Sequence, residues 1–420
     1  METLGCPKNE VDSHKLAGVL VADGLQPAPT VGEADLVVVN TCAFVDEARA
    51  ESIETVLALG DARRPGAELV VTGCLAERYG AELADAMPEV DAVVGFGVPV
   101  HLARRSAPGG PSPVPSFDLL NLPRPASEAP WAYVKVAEGC DRACGFCAIP
   151  SFRGPQRSRD VAAILAEVDD LGPGVREIVL VAQDLAAFGR DQGVGRRRIV
   201  PLVRAVAERV PRVRLLYLYP SDLSDGLVDA ICDSGVPYFD LSLQHVSRRL
   251  LRAMRRWGDG DRFLARMADI RRRQPDAAFR SNFIVGYPGE NEDDHDRLLG
   301  FLDEAQLDWC GFFAWSAEDA THAASLPGRV DPGLVHERLA ECTERQDAIT
   351  ASRRDDLVGS TVDVLVDRPG VGRSYREAPE IDGVVHVPDD LAVGQLAGVT
   401  IGGAVGPDLV AVGAVEACAP

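Results

Sequence analysis

Lysine is nearly missing from this 420-residue chain: Lys8, Lys15 and Lys135 are the three it has, and arginine supplies the rest of its 43 basic residues. That skew says nothing about function, but the shortage of positive charge as a whole does. With 64 acidic residues the formal net charge is −21, a field that repels phosphate backbones and draws cationic surfaces. A chain built to grip naked nucleic acid is disfavoured and a basic partner favoured, with plain solubility as the alternative reading. Long apolar runs are also missing. None reaches the ~18 uncharged residues that a membrane helix needs, and the most apolar stretch, residues 398–415, is interrupted by Pro407 and Asp408. The opening METLGCPKNEVD lacks the basic, apolar, small-residue order of a signal peptide. The expectation is a cytoplasmic protein with no membrane partner. No internal repeat or low-complexity tract is present.

What the chain does have is cysteine, ten residues in a sequence whose 46% hydrophobic content supports full cores. Cytosolic thiols stay reduced and large cores need no staples, so metal or redox chemistry is the leading explanation. The length predicts two or three compact units. Residues 106–130 contain seven prolines and little periodic pattern, as an interdomain linker would. Before them, apolar runs at 36–39, 69–71 and 92–94 alternate with helix-like stretches, which predicts a parallel α/β sheet. After them come six strand candidates, 132–138, 177–182, 213–219, 238–243, 278–285 and 309–315, separated by amphipathic segments. That pattern predicts an open or closed parallel β/α barrel, whose ligands gather at the carboxyl ends of the strands. Beyond about Leu357, short β-like segments at 362–366, 382–387 and 398–401 predict a small β-barrel.

Cys140, Cys144 and Cys147 stand in EGCDRACGFCAIP, a C-x3-C-x2-C run directly after the first barrel strand. Three thiolates on one tight loop can hold three irons of a 4Fe-4S cube. The fourth iron then lacks a protein ligand and is open to a small molecule. A zinc site is the alternative, but structural zinc normally closes with four Cys or His ligands, and no histidine lies within a loop's reach. A second set is Cys6 in TLGCPKN, Cys42 in VVVNTCAFV and Cys74 in VVTGCLAERYG. Two of these directly follow an apolar strand, and strand ends of a parallel sheet share one edge, so the three can converge there. The bland reading is three buried core thiols, against which their Gly, Asn and Thr contexts argue. Cys232, Cys310, Cys342 and Cys418 have no motif and read as core or incidental thiols. The arginine clusters 196–198 and 271–273 read as solvated faces.

The C-x3-C-x-aromatic-C pattern, with Phe146 as the aromatic, resembles the radical S-adenosylmethionine superfamily. With TLGCPKN, REIVLVAQDLAAFGRD, LSLQHVSRRLLRAMRR and FRSNFIVGYPGENE, the whole chain is similar to the methylthiotransferase family within it. The resemblance implies an N-terminal methylthiotransferase domain (1–105), the Pro-rich linker (106–130), a radical S-adenosylmethionine core in a (β/α)6 partial barrel (131–356) and a TRAM-like β-barrel (357–420). It also implies two 4Fe-4S clusters. Cys6, Cys42 and Cys74 would ligate an auxiliary one, and Cys140, Cys144 and Cys147 the one that cleaves S-adenosylmethionine. An electron donor such as flavodoxin or ferredoxin and a sulfur donor are implied partners. Phe146, Gln183, Gln244 and Gly286 are the candidate S-adenosylmethionine contacts. Gln183 with Asp184, Gln244 with His245, and Gly286 end the second, fourth and fifth strand candidates, where a barrel gathers its ligands. Loop or packing roles are the alternative, and His245 could equally be a satisfied buried histidine.

The words LGCPKN (4–9), IPSFRG (149–154), LQH (243–245) and APEIDG (378–383) resemble the branch that methylthiolates the β-carbon of an aspartate in small-subunit ribosomal protein number twelve. The transfer RNA branch would more typically show Gln-Met after Cys6 and Ser-Gly-Ser where His245 begins. The last 64 residues carry three arginines against nine acids, the wrong sign for holding phosphates, which argues against direct contact with transfer RNA. A transfer RNA adenosine methylthiotransferase and a non-catalytic iron-sulfur protein are the alternatives. Family members usually begin with a complete strand before the LGC word, whereas three residues precede Leu4 here, so the first strand is expected to be nearly absent.

Overall fold

The computed structural model describes residues 1–98, 100, 118–194 and 198–415, and the chain divides into two compact units. Most of the linker region (106–117), Arg196, Arg197 and Cys418 lie outside the described residues.

The first unit comprises Met1–Ala126 with the inserted pieces Ala137–Asp141 and Ala148–Ala163. Its sheet has four parallel strands in sequential order, Glu2–Thr3, Leu36–Thr41, Glu68–Gly73 and Ala92–Val93. Valine runs suit a sheet covered on both faces. Val37, Val39, Leu69 and Val71 pack with Leu75, Leu83 and Met87 on one side. Val38 and Val70 pack with Leu16, Val100 and Leu119 on the other. The expected stub of a first strand is seen: Glu2 and Thr3 pair with Val39 and Asn40. The described part of the linker region packs locally. Residues Leu119–Asn121 form a 3-10 turn with Leu119 and Leu120 buried, and Lys15 Nζ donates to Leu120 O at 2.6 Å. Proline density marked an extended segment, but its two leucines gave it a core to join.

The second unit comprises Ser127–Val136, Arg142–Cys147 and the chain from Ile164 onward. Six parallel strands follow one another as Trp131–Lys135, Glu177–Val181 and Arg212–Leu215, then Tyr238–Gln244, Ala278–Val285 and Trp309–Ala314. The two triplets are joined by a single parallel bridge, Leu218 to Leu241. All six candidates exist, with two differences. The first, expected over 132–138, ends at Lys135, because Ala137–Glu138 turns away to pair antiparallel with Arg157–Ser158. The third ends at Leu215: Tyr217 adopts φ 65°, and its N–H donates to Asp240 Oδ2 at 2.9 Å instead of to a ladder carbonyl. Arg271, read as part of a solvated face, is half-buried and donates to Ala305 O and Gln306 O, the last carbonyls of the neighbouring helix Glu292–Ala305.

The unit ends in a closed barrel of five short strands around Val364, Val366, Val385, Val399, Ile401 and Leu409. It is fastened to the amino ends of the larger barrel's strands. Glu177, fully buried at the start of the second strand, accepts from Arg214 Nε (2.7 Å) and Arg373 Nη1 (3.0 Å). Burial opposes its ionisation, but Arg214, Arg373 and Arg212 outweigh it and hold its pKa at about 2. Tyr133 Oη donates to Pro379 O (2.8 Å), Trp309 Nε1 to Arg376 O (2.6 Å) and Tyr238 Oη to Asp382 Oδ2 (2.6 Å). The APEIDG segment is thus the foot on which the strand barrel stands, leaving the opposite strand ends for chemistry.

Candidate metal centre

In the first unit the three expected cysteines stand at the carboxyl edge of the sheet. Cys6 follows the first strand and precedes the helix Pro7–Ala22; Cys42 follows Leu36–Thr41; Cys74 opens the helix Cys74–Ala86 directly after Glu68–Gly73. Two glycines make this convergence possible. Gly5 has φ +96°, and a Cβ on it would meet the Cys42 Cβ at 2.8 Å and Sγ at 2.9 Å. Gly73 has φ +95°, and a Cβ there would strike Asn40 and the Thr41 backbone. Both positions require a residue without a side chain. Cys42 is held by Ser52, whose Oγ accepts from its N–H at 3.1 Å and donates its one proton to Ala48 O (2.8 Å), with Cys42 O at 3.1 Å as the second acceptor in reach.

The three thiols feel one another's charge. Burial first, then Cys6 and Cys74, push the Cys42 thiol up to about 12. Burial also raises Cys74, against the pull of Arg153. At Cys6 burial is outweighed by Lys8, Arg153 and the N–H groups of Asn9 and Lys8, which hold the thiol below its ordinary range. The two thiols that resist ionisation, Cys42 and Cys74, would be relieved by a cationic metal core beside them. Among the described residues no three His, Cys, Asp or Glu side chains close on a single metal-ion position. The fit to iron-sulfur ligation therefore rests on the all-thiol donor set, the kind such clusters take.

Sequence reasoning missed Arg153. At the end of the short helix Ile149–Arg153, its side chain is 3% exposed. Nη2 donates to Cys74 Sγ (3.0 Å) and Asn9 Oδ1 (2.8 Å), and Nη1 to Asp12 Oδ2 (3.1 Å) and Glu138 Oε2 (3.0 Å). Its guanidinium lies 3.9 Å from the Phe96 ring centroid. Asn9 in turn donates to Leu4 O (2.8 Å) and Thr41 O (3.1 Å), the carbonyls that lead into Cys6 and Cys42. The signal in the sequence was the FRG word, whose arginine no periodicity argument could place.

Of the second run, Cys140 belongs to the first unit, where its N–H donates to Gly154 O at 3.1 Å. Cys144, Phe146 and Cys147 belong to the second. There Gly145 N donates to Met254 O (2.8 Å), Ala323 N to Gly145 O (2.7 Å) and Cys147 N to Cys144 O (3.2 Å). Arg256 Nη1 reaches Cys144 Sγ at 3.5 Å. Phe146 and Gln183 are half-buried. Asp184 accepts from Arg142 Nε at 2.5 Å, and the same guanidinium pairs with Asp222. Gln244 ends its strand at φ 70°, left-handed for a residue with a side chain and a mark of imposed strain. Gly286 N donates to Glu290 Oε2 (2.7 Å), so what it has left to offer a ligand is its carbonyl. His245 is fully buried. Its Nδ1 accepts from Val246 N (2.9 Å) and Ser247 N (3.0 Å), and burial above all lowers its pKa to about 4. It is a neutral imidazole whose buried Nε2 has no hydrogen-bond partner among the described residues. Cys342 is likewise buried, with its thiol pushed up to about 12 by burial. No described helix is long and apolar enough to cross a membrane.

Family descriptions match three successive parts: Uncharacterized protein family UPF0004 over residues 1–95, the Radical SAM superfamily over 134–302 and a TRAM domain over 358–413. The fold and the cysteine run define a radical S-adenosylmethionine enzyme, a class whose chemistry needs a 4Fe-4S cluster and that cofactor. A ribosomal protein uS12 methylthiotransferase RimO from Streptomyces coelicolor is 40% identical, covering 97% of this chain and 95% of its own. One from Moorella thermoacetica is 42% identical with 92% of each chain covered, and one from Salinispora tropica is 42% identical over 91% and 86%. The chain belongs to the RimO family of methylthiotransferases. Among solved structures, the cobalamin-dependent S-adenosylmethionine radical enzyme OxsB matches 82% of this chain and 55% of its own at 11% identity and TM-score 0.45, too remote to inform function.

Proposed function

We propose that this enzyme methylthiolates the β-carbon of an aspartate in small-subunit ribosomal protein uS12, in the cytoplasm, using S-adenosylmethionine and two 4Fe-4S clusters. The observation that carries the two-cluster reading is the second thiol set: Cys6, Cys42 and Cys74 follow three neighbouring strand ends, a Cβ on Gly5 beside Cys6 would meet Cys42 Sγ at 2.9 Å, and a guanidinium donates to Cys74 Sγ. Cys140, Cys144 and Cys147 would hold the other cluster. Together the bound groups supply a 5′-deoxyadenosyl radical and a methylthio group, chemistry suited to a C–H bond that no base tuned near neutral pH can deprotonate.

The chain's own residues bind and orient. Phe146, Gln183, Gln244 and the carbonyl of Gly286 are the proposed contacts for S-adenosylmethionine. Arg142, paired with Asp184 and Asp222, ties the cysteine loop to the ends of the second and third strands. Functionally the chain divides into a sulfur-carrying part (1–105), a linker (106–130), a radical-generating part (131–356) and a TRAM-like part (357–420). The acidic balance of the last part suits a cationic protein substrate. An external electron donor such as flavodoxin or ferredoxin and a separate sulfur donor complete the system.

The test is anaerobic. Reconstituted enzyme is given reductant, S-adenosylmethionine, sulfide and uS12, and the mass of uS12 is read. The expected result is one added methylthio group on an aspartate, absent with Cys144→Ala. Intact clusters without any gain in mass would overturn the substrate.

A further inference from the structure

We infer that Arg153 is a positioning residue for the auxiliary site: it fixes the Cys74 sulfur and sets one buried positive charge beside the three-thiol set, raising the reduction potential of the iron-sulfur group held there. This rests on the reading that Cys6, Cys42 and Cys74 ligate a cluster.

A buried arginine needs partners, and two carboxylates, Asp12 and Glu138, would already neutralise it. It nonetheless spends its remaining donors on Cys74 Sγ and on Asn9, the residue that anchors the carbonyls before Cys6 and Cys42. With four hydrogen bonds and the Phe96 ring against its face, the planar fork has one orientation, and the sulfur it holds has one position. Cluster potentials follow net charge, hydrogen bonds to sulfur and exposure, and Arg153 alters the first two. The surroundings contain an opposing lever. Asp12, 1% exposed and 3.1 Å from the guanidinium, acts on Cys74 with the opposite sign. The arginine also sits six residues after Cys147.

The opposite signs make the test. In full-length protein carrying Cys140→Ala, Cys144→Ala and Cys147→Ala, the auxiliary cluster alone remains, and its one-electron midpoint is read by electron paramagnetic resonance in a redox titration. Arg153→Lys, which keeps a cation but cannot keep the fork, is expected to hold its iron and shift the midpoint negative. A tenfold change in the reduction equilibrium would appear as about 59 mV. Asp12→Asn is expected to shift it positive. Two unchanged midpoints, or two shifts of one sign, would overturn the role of Arg153 while leaving the ligand reading intact. Failure of the parent triple variant to bind iron would overturn the ligand reading itself. Should Arg153→Lys not fold, Arg153→Gln, which keeps an N–H donor and loses the charge, decides in its place: a negative shift supports the inference and none overturns it.

Discussion

The two cysteine neighbourhoods each place an arginine against a thiol, but they secure it by different physics. Arg153 is buried and balanced by two carboxylates, 3.0 Å from Cys74. Arg256 is half-exposed, 3.5 Å from Cys144, and stacks 4.0 Å from the Tyr219 ring centroid, a ring it shares with Arg142 at 3.8 Å. Its other anchor is the Ser242 carbonyl. A buried ion pair is rigid and intolerant of losing one member; a half-exposed stacked arginine is screened by water and forgiving. The neighbourhood of Cys74 is therefore built as a fixed frame. Cys144 stands on a loop held by backbone bonds from Gly145.

The largest expected effect separates the two sets by chemistry. Cys144→Ala should abolish both 5′-deoxyadenosine and methylthiolated product. Cys74→Ala should abolish the product alone, with the nucleoside still formed on reduction. A Cys74→Ala enzyme that makes no 5′-deoxyadenosine would break the division of labour. Next in size is the frame itself. Arg153→Met removes the guanidinium from which both Asp12 and Glu138 accept, a loss of about 3–5 kcal/mol, to be read from denaturant unfolding. Adding Asp12→Asn should recover part of it; no recovery would mean that packing, not charge, holds Arg153.

The strand-end setting of Cys42 and Cys74 was legible in the sequence, and Gly5 and Gly73 beside the N-terminal cysteines are demanded by a close approach that only glycine permits. All six barrel strands were legible as apolar runs, since a strand covered on both faces reads as a hydrophobic block. The breaks in them were not. Tyr217 turns left-handed because Asp240, more than twenty residues away, offers an acceptor, and no local pattern encodes that. The same holds for Arg153, whose partners Asp12 and Cys74 are 141 and 79 residues distant in sequence. APEIDG was legible as a family word but not as a foot under the barrel, for its role consists of carbonyls and carboxylates meeting Tyr133, Tyr238 and Arg280. Residues 118–122 show the converse, where proline-rich composition gave no sign that Leu119 and Leu120 would be buried.

The ionic rule assigned to Arg153 can be checked where no cysteine intervenes, at Glu177. Burial disfavours its charge, but Arg214, Arg373 and Arg212 bring its folded pKa to about 2, below the ~4.3 of an unfolded glutamate. Its stabilisation is therefore fully present above about pH 4.3 and lost as pH falls towards 2, a difference of about 3 kcal/mol. The gap in unfolding free energy between the parent protein and Glu177→Gln should narrow by that amount between neutral pH and about pH 2. A gap independent of pH would show that buried pairing does not act through charge in this fold, and would weaken the same account of Arg153.

The smallest effect is expected on the other side of the comparison, at Arg256. Arg256→Met keeps bulk over the Tyr219 ring, removes the donor to Cys144 Sγ and leaves no buried carboxylate stranded, because the acids nearby, Asp184 and Asp222, are paired by Arg142. Stability should fall by about 0–1 kcal/mol, as for a half-exposed charge. The effect belongs in the radical cluster's spectrum, since a lost hydrogen bond to a ligating sulfur shifts its potential negative. The measurement is electron paramagnetic resonance of full-length protein carrying Cys6→Ala, Cys42→Ala and Cys74→Ala, with and without Arg256→Met, beside the unfolding curves. A loss of several kcal/mol would place Arg256 in a frame as rigid as that of Arg153, and the contrast between the two sites would fail.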